Sequence, residues 1–487
     1  MGRKYNSKSC ITEKTQVINK PLSHKKITSF LILIILLLFA READARARYV
    51  FLFIGDGMGA AQRNAAEIYL AGMRRSNGGN SARGSQLAMN SMPAEGFIRT
   101  GSLSGVTDSA AAGTALSCGR KTVNGAIAMG ANGESYKSIA SIARENGMKV
   151  GIITSSFLQD ATPSVFYAHS PKRTSLYTIG LQLAESGFDY FAGGGFRKPK
   201  DRPKSEPALA DIAKLRGYRV ITDNKDFSRL AKGDNGKVIA ISPRAVSSGY
   251  MPWAIDAKGG DITLADFVKK GIELLECDEG FFIMAEGGKI DLACHANDAA
   301  AAVREVMDMD AAVSAALDFM RAHPDDTLIV VTADHETGGM TLAPSAMDAP
   351  RFYAAVSRQR GSHAAFERTV SPGSKEGFVS ALNRAADFFG CDIPDSSGVR
   401  SAYSVSMTAR AKRPVKSAEY KTLYATYDPF TVACMKEANA RAGVTWTTFY
   451  HTGKNVPISA AGAGSDAFAG EYENTEVFTK LRGAMIR

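Results

Sequence analysis

The stretch YVFLFIGDGMG, residues 49–59, joins six apolar residues to an acid set between two glycines. An apolar run without polar alternation marks a strand buried on both faces, as in parallel sheets covered by helices on either side. Asp56 then stands just past the strand's carboxyl end, where ligands gather in open parallel sheets. Asp and Gly are also ordinary turn formers, so a single stretch of this kind distinguishes nothing. Its repetition does. GFFIMA (280–285) runs into Glu286, TLIVVT (327–332) runs into Asp334 and His335, and KVGIIT (149–154) is followed after a short loop by Asp160 and Thr162; KVIAI (237–241) is a fifth strand of the same type. Helical patterns lie between them at 135–146 and 263–276, and from Asn297 to about Arg321, where Val303, Val306, Val313, Leu317 and Met320 form an apolar stripe. This alternation predicts an α/β fold: a single large domain over 46–487, with a central, mostly parallel sheet flanked by helices. Residues 344–448 are less regular and read as an insertion or cap, with helices near 376–389 and 430–441.

Four acids delivered to one sheet edge would repel one another and cost several kcal/mol, in order of magnitude, unless cations neutralise them. Bound divalent metal ions are the simple answer, and histidine usage agrees. His295 follows Asp291 by four residues, which on a helical turn points both side chains to one side. An Asp and a His on one face, with one more His, make a zinc site with a position left open, and His335 beside Asp334 could supply a second. His323 and His363 sit in polar contexts and read as ordinary core or surface residues.

GVTDSAAAGTALSCG, residues 105–119, places Asp108 and Ser109 before a run of small helix formers. On local grounds Ser109 is a helix cap. Beside two metal ions it is equally a nucleophile, because a metal lowers the pKa of a serine hydroxyl and a zinc pair can activate one oxygen while stabilising the leaving one.

With FIGDGMG (53–59), VTDSAAAGTALSCGRKTVNGAI (106–127), QDATPSVFYAHSPKR (159–173), AEGGKIDLACH (285–295), TADHETGG (332–339) and FYHTGKNVP (449–457) in this order, the chain resembles the alkaline phosphatases, metal-dependent phosphomonoesterases. The resemblance implies Ser109 as the nucleophile that forms a phosphoseryl intermediate, and two Zn²⁺ and one Mg²⁺ as cofactors. It implies Asp291, His295 and His451 as ligands of the leaving-group zinc, and Asp56, Asp334 and His335 as ligands of the zinc that activates Ser109. Asp56 would bridge to a Mg²⁺ site with Thr162 and Glu286, an oxygen set suited to a hard cation, and Asp160 would orient water on that ion. Arg173 would hold the phosphate through a bidentate fork, positioned by Asp108. Leu292 stands where family members often carry Lys or His near the phosphate. A phosphodiester or sulfate hydrolase is the alternative on the same fold. Such relatives typically use a Thr, or a modified Cys or Ser, and TDSAAAG with Arg173 favours the monoester. Small phosphate monoesters are the implied substrates, and a homodimer is the family's common state.

Lys25 and Lys26 precede FLILIILLLFA (30–40), and Ala43-Asp44-Ala45 follows. That order reads as a secretory signal peptide over residues 1–45. Its 11-residue apolar core is too short to span a bilayer comfortably, so no stable membrane insertion is expected and the protein is read as periplasmic or secreted. The segment also holds eight of the basic and three of the acidic residues, half of the net charge of +10. The remainder is mild and has no long basic block, which argues against nucleic acid as a partner. Five cysteines lie beyond residue 45 with no C-x-x-C pair, so a thiolate metal site is not expected.

Overall fold

Every residue of Tyr49–Ile54 (β1), Phe281–Glu286 (β7) and Thr327–Thr332 (β8) is buried. Burying each large apolar side chain contributes roughly 1.5–3 kcal/mol, so these runs are held in the interior by composition alone. The remaining strands of the main sheet are β2 (Ala94–Arg99), β3 (Lys149–Thr154), β4 (Tyr190–Gly193), β5 (Tyr218–Ile221), β6 (Lys237–Ile241), β9 (Val456–Gly462) and β10 (Gly470–Glu473). This computed structural model describes residues 46–486 apart from 79–85, 235, 246–247 and 371–375; the leader expected over 1–45 lies outside the described residues.

The ten strands lie in the order β10-β2-β9-β8-β1-β7-β3-β4-β6-β5. Only β9 runs antiparallel to its neighbours β8 and β2; every other adjacent pair is parallel. The mixed, mostly parallel sheet with helices on its faces is therefore the architecture expected. The register does more than close the sheet. Ile54 pairs with both Glu286 and Thr332, and Thr154 pairs with Glu286, so β8, β1, β7 and β3 end level with one another. Four contiguous strands thus release their chains onto one edge at one height.

Three boundaries differ from the sequence reading. The helix expected over 135–146 begins only at Ile139, because Ser138 caps it by accepting from Ser141 N (3.1 Å). Glu286 is the last residue of β7 and not the first residue beyond it. The Ala-rich helix begins at Ala299, because Asn297 adopts a left-handed φ of 57° and Asp298 caps the helix through Ala301 N (3.1 Å). Strands β2, β4, β5, β9 and β10 had no counterpart in the reading.

Residues 344–448 hold helices Ala349–Ser357, His363–Glu367, Phe378–Phe389, Ser397–Met407, Ala418–Tyr424 and Pro429–Ala442. Phe366, Ala381, Phe389, Val399, Phe430 and Met435 belong to an apolar cluster distinct from that of the sheet. His363 opens a short helix and is buried, with its Nδ1 3.2 Å from Asp298 Oδ2. Cys118, Cys277, Cys294, Cys391 and Cys434 are all free.

Candidate active site

The helix Ser109–Cys118 starts at the edge where the four level strands end, and its cap is Asp108. Asp108 Oδ1 accepts from Ala111 N (3.0 Å), while Oδ2 accepts from Gly125 N (3.0 Å) and Arg173 Nη1 (3.2 Å). Ser109 is consequently the first helical residue, with a buried hydroxyl released from capping duty. Its Oγ lies 3.3 Å from His335 Nε2. The choice between cap and nucleophile is thus divided between adjacent residues.

Three imidazoles converge beside it. His295 Nε2 is 3.1 Å from His451 Nε2 and 3.2 Å from Asp291 Oδ2, and His451 Nε2 is 3.7 Å from Asp291 Oδ1. Asp291 and His295 lie one turn apart on the helix Lys289–His295, as the spacing predicted. His335 Nε2 lies 3.3 Å from Asp334 Oδ2 and 3.4 Å from Asp56 Oδ1. Its ring also stacks on that of His451 with centroids 3.7 Å apart, so the two groups adjoin.

The outer ring nitrogens are all occupied. His295 Nδ1 lies 2.5 Å from Phe449 O, His451 Nδ1 lies 2.8 Å from Thr107 O, and His335 Nδ1 lies 3.2 Å from Thr337 Oγ1. Donating Nδ1–H to such acceptors leaves Nε2 with a free lone pair, the usual arrangement of a metal-ligating histidine.

The third group is built from oxygen. Thr162 Oγ1 lies 3.5 Å from Asp56 Oδ2, and Thr154 Oγ1 donates to Glu286 Oε2. Asp56 Oδ1, Glu286 Oε1 and Asp334 Oδ2 are buried without a hydrogen-bond partner. Such orphaned acceptors are costly, and bound cations remove the cost. The donor set therefore fits metal: nitrogen and oxygen at two adjoining clusters, oxygen alone at the third.

Electrostatics carry the same signature. Burial, then the neighbouring carboxylates, pushes Asp56 well above the usual range and Glu286 up to about 8; burial and Asp291 push Asp334 up to about 7. Burial also works to raise Asp291, but His295 and His451 outweigh it and hold that carboxyl low. His335 is kept far below its ordinary value by burial and by His451. His295 is raised to about 9, Asp291 overcoming the effect of burial. This is a site shaped around positive charge that is not protons.

Asp160 adjoins the oxygen group, where its charge is the next cause after burial of the raised Glu286 pKa. It caps the turn Ala161–Ser164, accepts from Ser156 Oγ (2.5 Å), and lies 3.4 Å from Arg173 Nη2. Arg173 is thus gripped by Asp108 and Asp160, whose charges outweigh burial and keep it firmly protonated. Ser109, Arg173, Asp56, Asp291, His295 and His451 line one cleft of about 450 Å³, together with Leu292.

Thr337 escaped the sequence reading. Its hydroxyl donates to Asp291 Oδ1 (2.5 Å) and meets His335 Nδ1, tying the two histidine clusters together. It lies inside TADHETGG, two residues beyond His335, but nothing in a threonine's type marks it in advance. Gly57 was visible yet its reason was not. A Cβ there would come within 2.9 Å of Asp291 Cα and of Thr337 Oγ1, at a φ of +72°.

Comparison with known proteins agrees with this geometry. The sequence profile of the family described as alkaline phosphatase matches residues 47–187 and 194–486. Alkaline phosphatase 3 of Bacillus subtilis is 31% identical over 383 residues, 76% of this chain and 75% of that one. Among solved structures, the alkaline phosphatase of Thermus thermophilus superposes with a TM-score of 0.76 at 27% identity, covering 91% of this chain and 92% of its own. A variant of the alkaline phosphatase from the Antarctic bacterium TAB5, solved with Mg bound, gives a TM-score of 0.62 at 28% identity over 90% and 98% of the two chains. The chain therefore belongs to the alkaline phosphatase family and is a metal-binding phosphomonoester hydrolase.

Proposed function

We propose that the chain hydrolyses phosphate monoesters in two displacements at Ser109. Ser109 Oγ forms a bond to phosphorus as the ester P–O bond breaks and the alcohol departs; water then cleaves the phosphoseryl bond and releases phosphate. Arg173 offers a fork of N–H groups to two phosphoryl oxygens, and Asp108 and Asp160 fix its plane. The N-terminus of the helix Ser109–Cys118 favours the negative charge that builds there. Asp291, His295 and His451 would hold one zinc, Asp56, Asp334 and His335 a second, and Asp56, Thr162 and Glu286 a magnesium ion. When bound, such ions lower the pKa of the attacking oxygen and stabilise charge on the transferring group. Asp160 would order water about the magnesium.

The observation that carries this reading is the 3.3 Å approach of Ser109 Oγ to His335 Nε2, with Asp108 doing the capping. The test is hydrolysis of 4-nitrophenyl phosphate after chelation and after restoring Zn²⁺ and Mg²⁺. Restored turnover should fall by at least about 10³-fold in Ser109→Ala, the scale of losing a nucleophile. A Ser109→Ala protein with wild-type turnover would overturn the reading.

The chain is further proposed to act as a homodimer outside the cytoplasm, exported by residues 1–45, with 46–487 as the catalytic domain. Export is supported by the basic, apolar and small-residue order of that leader. No helix among the described residues is long and apolar enough to cross a membrane. Residues 344–448 would serve as a cap over the cleft. The segment that follows them reaches the site directly, since Phe449 O meets His295 Nδ1.

A further inference from the structure

One wall of the cleft has no task in the reaction just described. Arg197, Lys198 and Lys200 line it beside Arg173 and Tyr250. None of the three meets a carboxylate in an ion pair among the described residues. Other cations of the chain do: Arg216 pairs with Glu185 (3.0 Å), Arg219 with Asp234 (3.2 Å) and Lys232 with Glu276 (2.9 Å).

The backbone that carries these cations is built to stay in place. Gln159, fully buried, grips Arg197 twice: its Oε1 accepts from Arg197 N (3.0 Å) and its Nε2 donates to Arg197 O (3.1 Å). Leu158 N donates to Gly195 O (2.8 Å). The loop is pressed against its neighbour so closely that a Cβ on Gly194 would sit 2.0 Å from Gly249 O. The Arg197 guanidinium lies 5.2 Å from the centre of the Phe157 ring, and Tyr250 packs edge-on against that ring at 5.4 Å. Pro199 restrains the chain between the two lysines. Unpaired cations on a fixed backbone, facing a concave wall, focus field into the cleft.

The phosphoryl group under attack already has Arg173 and the metal ligands. The same cleft must also hold the leaving group, and Arg197, Lys198 and Lys200 are the charged side chains lining it that the reaction leaves unused. We infer that the preferred substrates are phosphate monoesters whose leaving group carries a second phosphate, recognised by Arg197, Lys198 and Lys200. This rests on the phosphomonoesterase reading of the Ser109 site and names its substrate class.

The test compares adenosine 3′,5′-bisphosphate with adenosine 5′-monophosphate, which differ by one phosphate on the same nucleoside, with 4-nitrophenyl phosphate as the reference ester. In low salt the wild-type kcat/KM, counted per phosphate, should favour the bisphosphate by at least about tenfold, mostly through KM. The preference should fade in about 0.5 M NaCl, where screening is short-ranged. In a Lys198→Glu, Lys200→Glu double variant the ratio should collapse towards one. Both lysines are exposed, and the salt series in the wild-type protein tests the inference without any substitution. Turnover of 4-nitrophenyl phosphate with no bisphosphate preference, or a ratio unmoved by salt and by charge reversal, overturns the inference alone. Turnover of no ester at all removes it together with the reading it rests on.

Discussion

Asp108 holds three things with two oxygens: a helix start at Ala111, the turn at Gly125 and the guanidinium of Arg173. Replacing it by Ala should therefore act twice. Loss of the cap costs about 1 kcal/mol of stability, visible in thermal unfolding, and loosening Arg173 raises KM and the inhibition constant of phosphate. Arg173→Lys separates these effects. It keeps the charge but loses the planar fork, so phosphate should bind about tenfold more weakly while the unfolding temperature barely moves; unchanged inhibition by phosphate would mean that Arg173 does not touch it. Leu292 tests the opposite direction. It lines the cleft with a side chain that cannot bind an anion, so Leu292→Lys should tighten phosphate inhibition and slow turnover wherever product release is limiting, which a phosphate titration of the steady-state rate would show. Residues with chemistry of their own were legible in the chain, because Asp, His, Ser and Arg announce what they can do. Thr337 and Gln159 were not, since each works through a partner that the fold brings from 46 residues away in one case and 38 in the other.

Among elements, the helix Lys289–His295 carries two metal ligands yet is only seven residues long, too short to be stable without tertiary support. Its anchor is Lys289, fully buried, whose Nζ lies 3.3 Å from Glu305 Oε1 on the helix Ala299–Ala322 and 4.1 Å from the centre of the Trp253 ring. Burial presses the lysine pKa down, and Glu305 opposes that. Removing one member of a buried pair leaves an uncompensated charge, at about 3–5 kcal/mol. Lys289→Met should thus lower stability by that amount and weaken zinc binding through Asp291 and His295, whereas Lys289→Met with Glu305→Leu should recover most of the stability. Equal losses in the single and double variants, followed by denaturant unfolding, would show that the pair is not the anchor. The same scale explains which strands could be read. β1, β3, β7 and β8 are central and covered on both faces, so they are written as unbroken apolar runs. β9 holds Pro457, Ser459 and a terminal Gly462, and β10 is the four-residue edge strand GEYE. Their membership is set by neighbours, not by their own composition, and Pro and Gly are signals against a strand.

At the level of the whole molecule, the central sheet edge stores a protonation problem that metal solves, and this gives the protein opposite pH responses with and without its ions. In the metal-free protein Glu286 is raised to about 8, Asp334 to about 7, and Asp56 well above its ordinary value, each first by burial. A carboxyl whose folded pKa exceeds its unfolded value binds protons more tightly when folded, so its contribution to stability falls as pH rises through the folded pKa. His295, raised to about 9, acts in the same direction: its stabilisation is complete below the unfolded imidazole value near 6.5 and is lost as pH climbs through 9. Asp291, held low by its histidines, contributes at neutral pH and loses that contribution only in strong acid, so it does not oppose the trend, and His335, kept far below its ordinary value, opposes it only until the unfolded imidazole loses its proton near 6.5. Between about pH 6 and 9 the chelated protein should therefore lose on the order of 2–4 kcal/mol, or about 2–4 °C in melting temperature for a domain of this size. In the metal-loaded protein protons and cations compete for the same oxygens, so binding strengthens with pH and the stabilisation from binding grows with it. The gap between the two melting temperatures should widen steadily from pH 6 to 9 in matched scans with chelator and with Zn²⁺ and Mg²⁺. A chelated protein whose melting temperature stays level or rises over that range would mean that Asp56, Glu286 and Asp334 are not held together, protonated, at the ends of β1, β7 and β8, and that the edge is assembled only when the ions arrive.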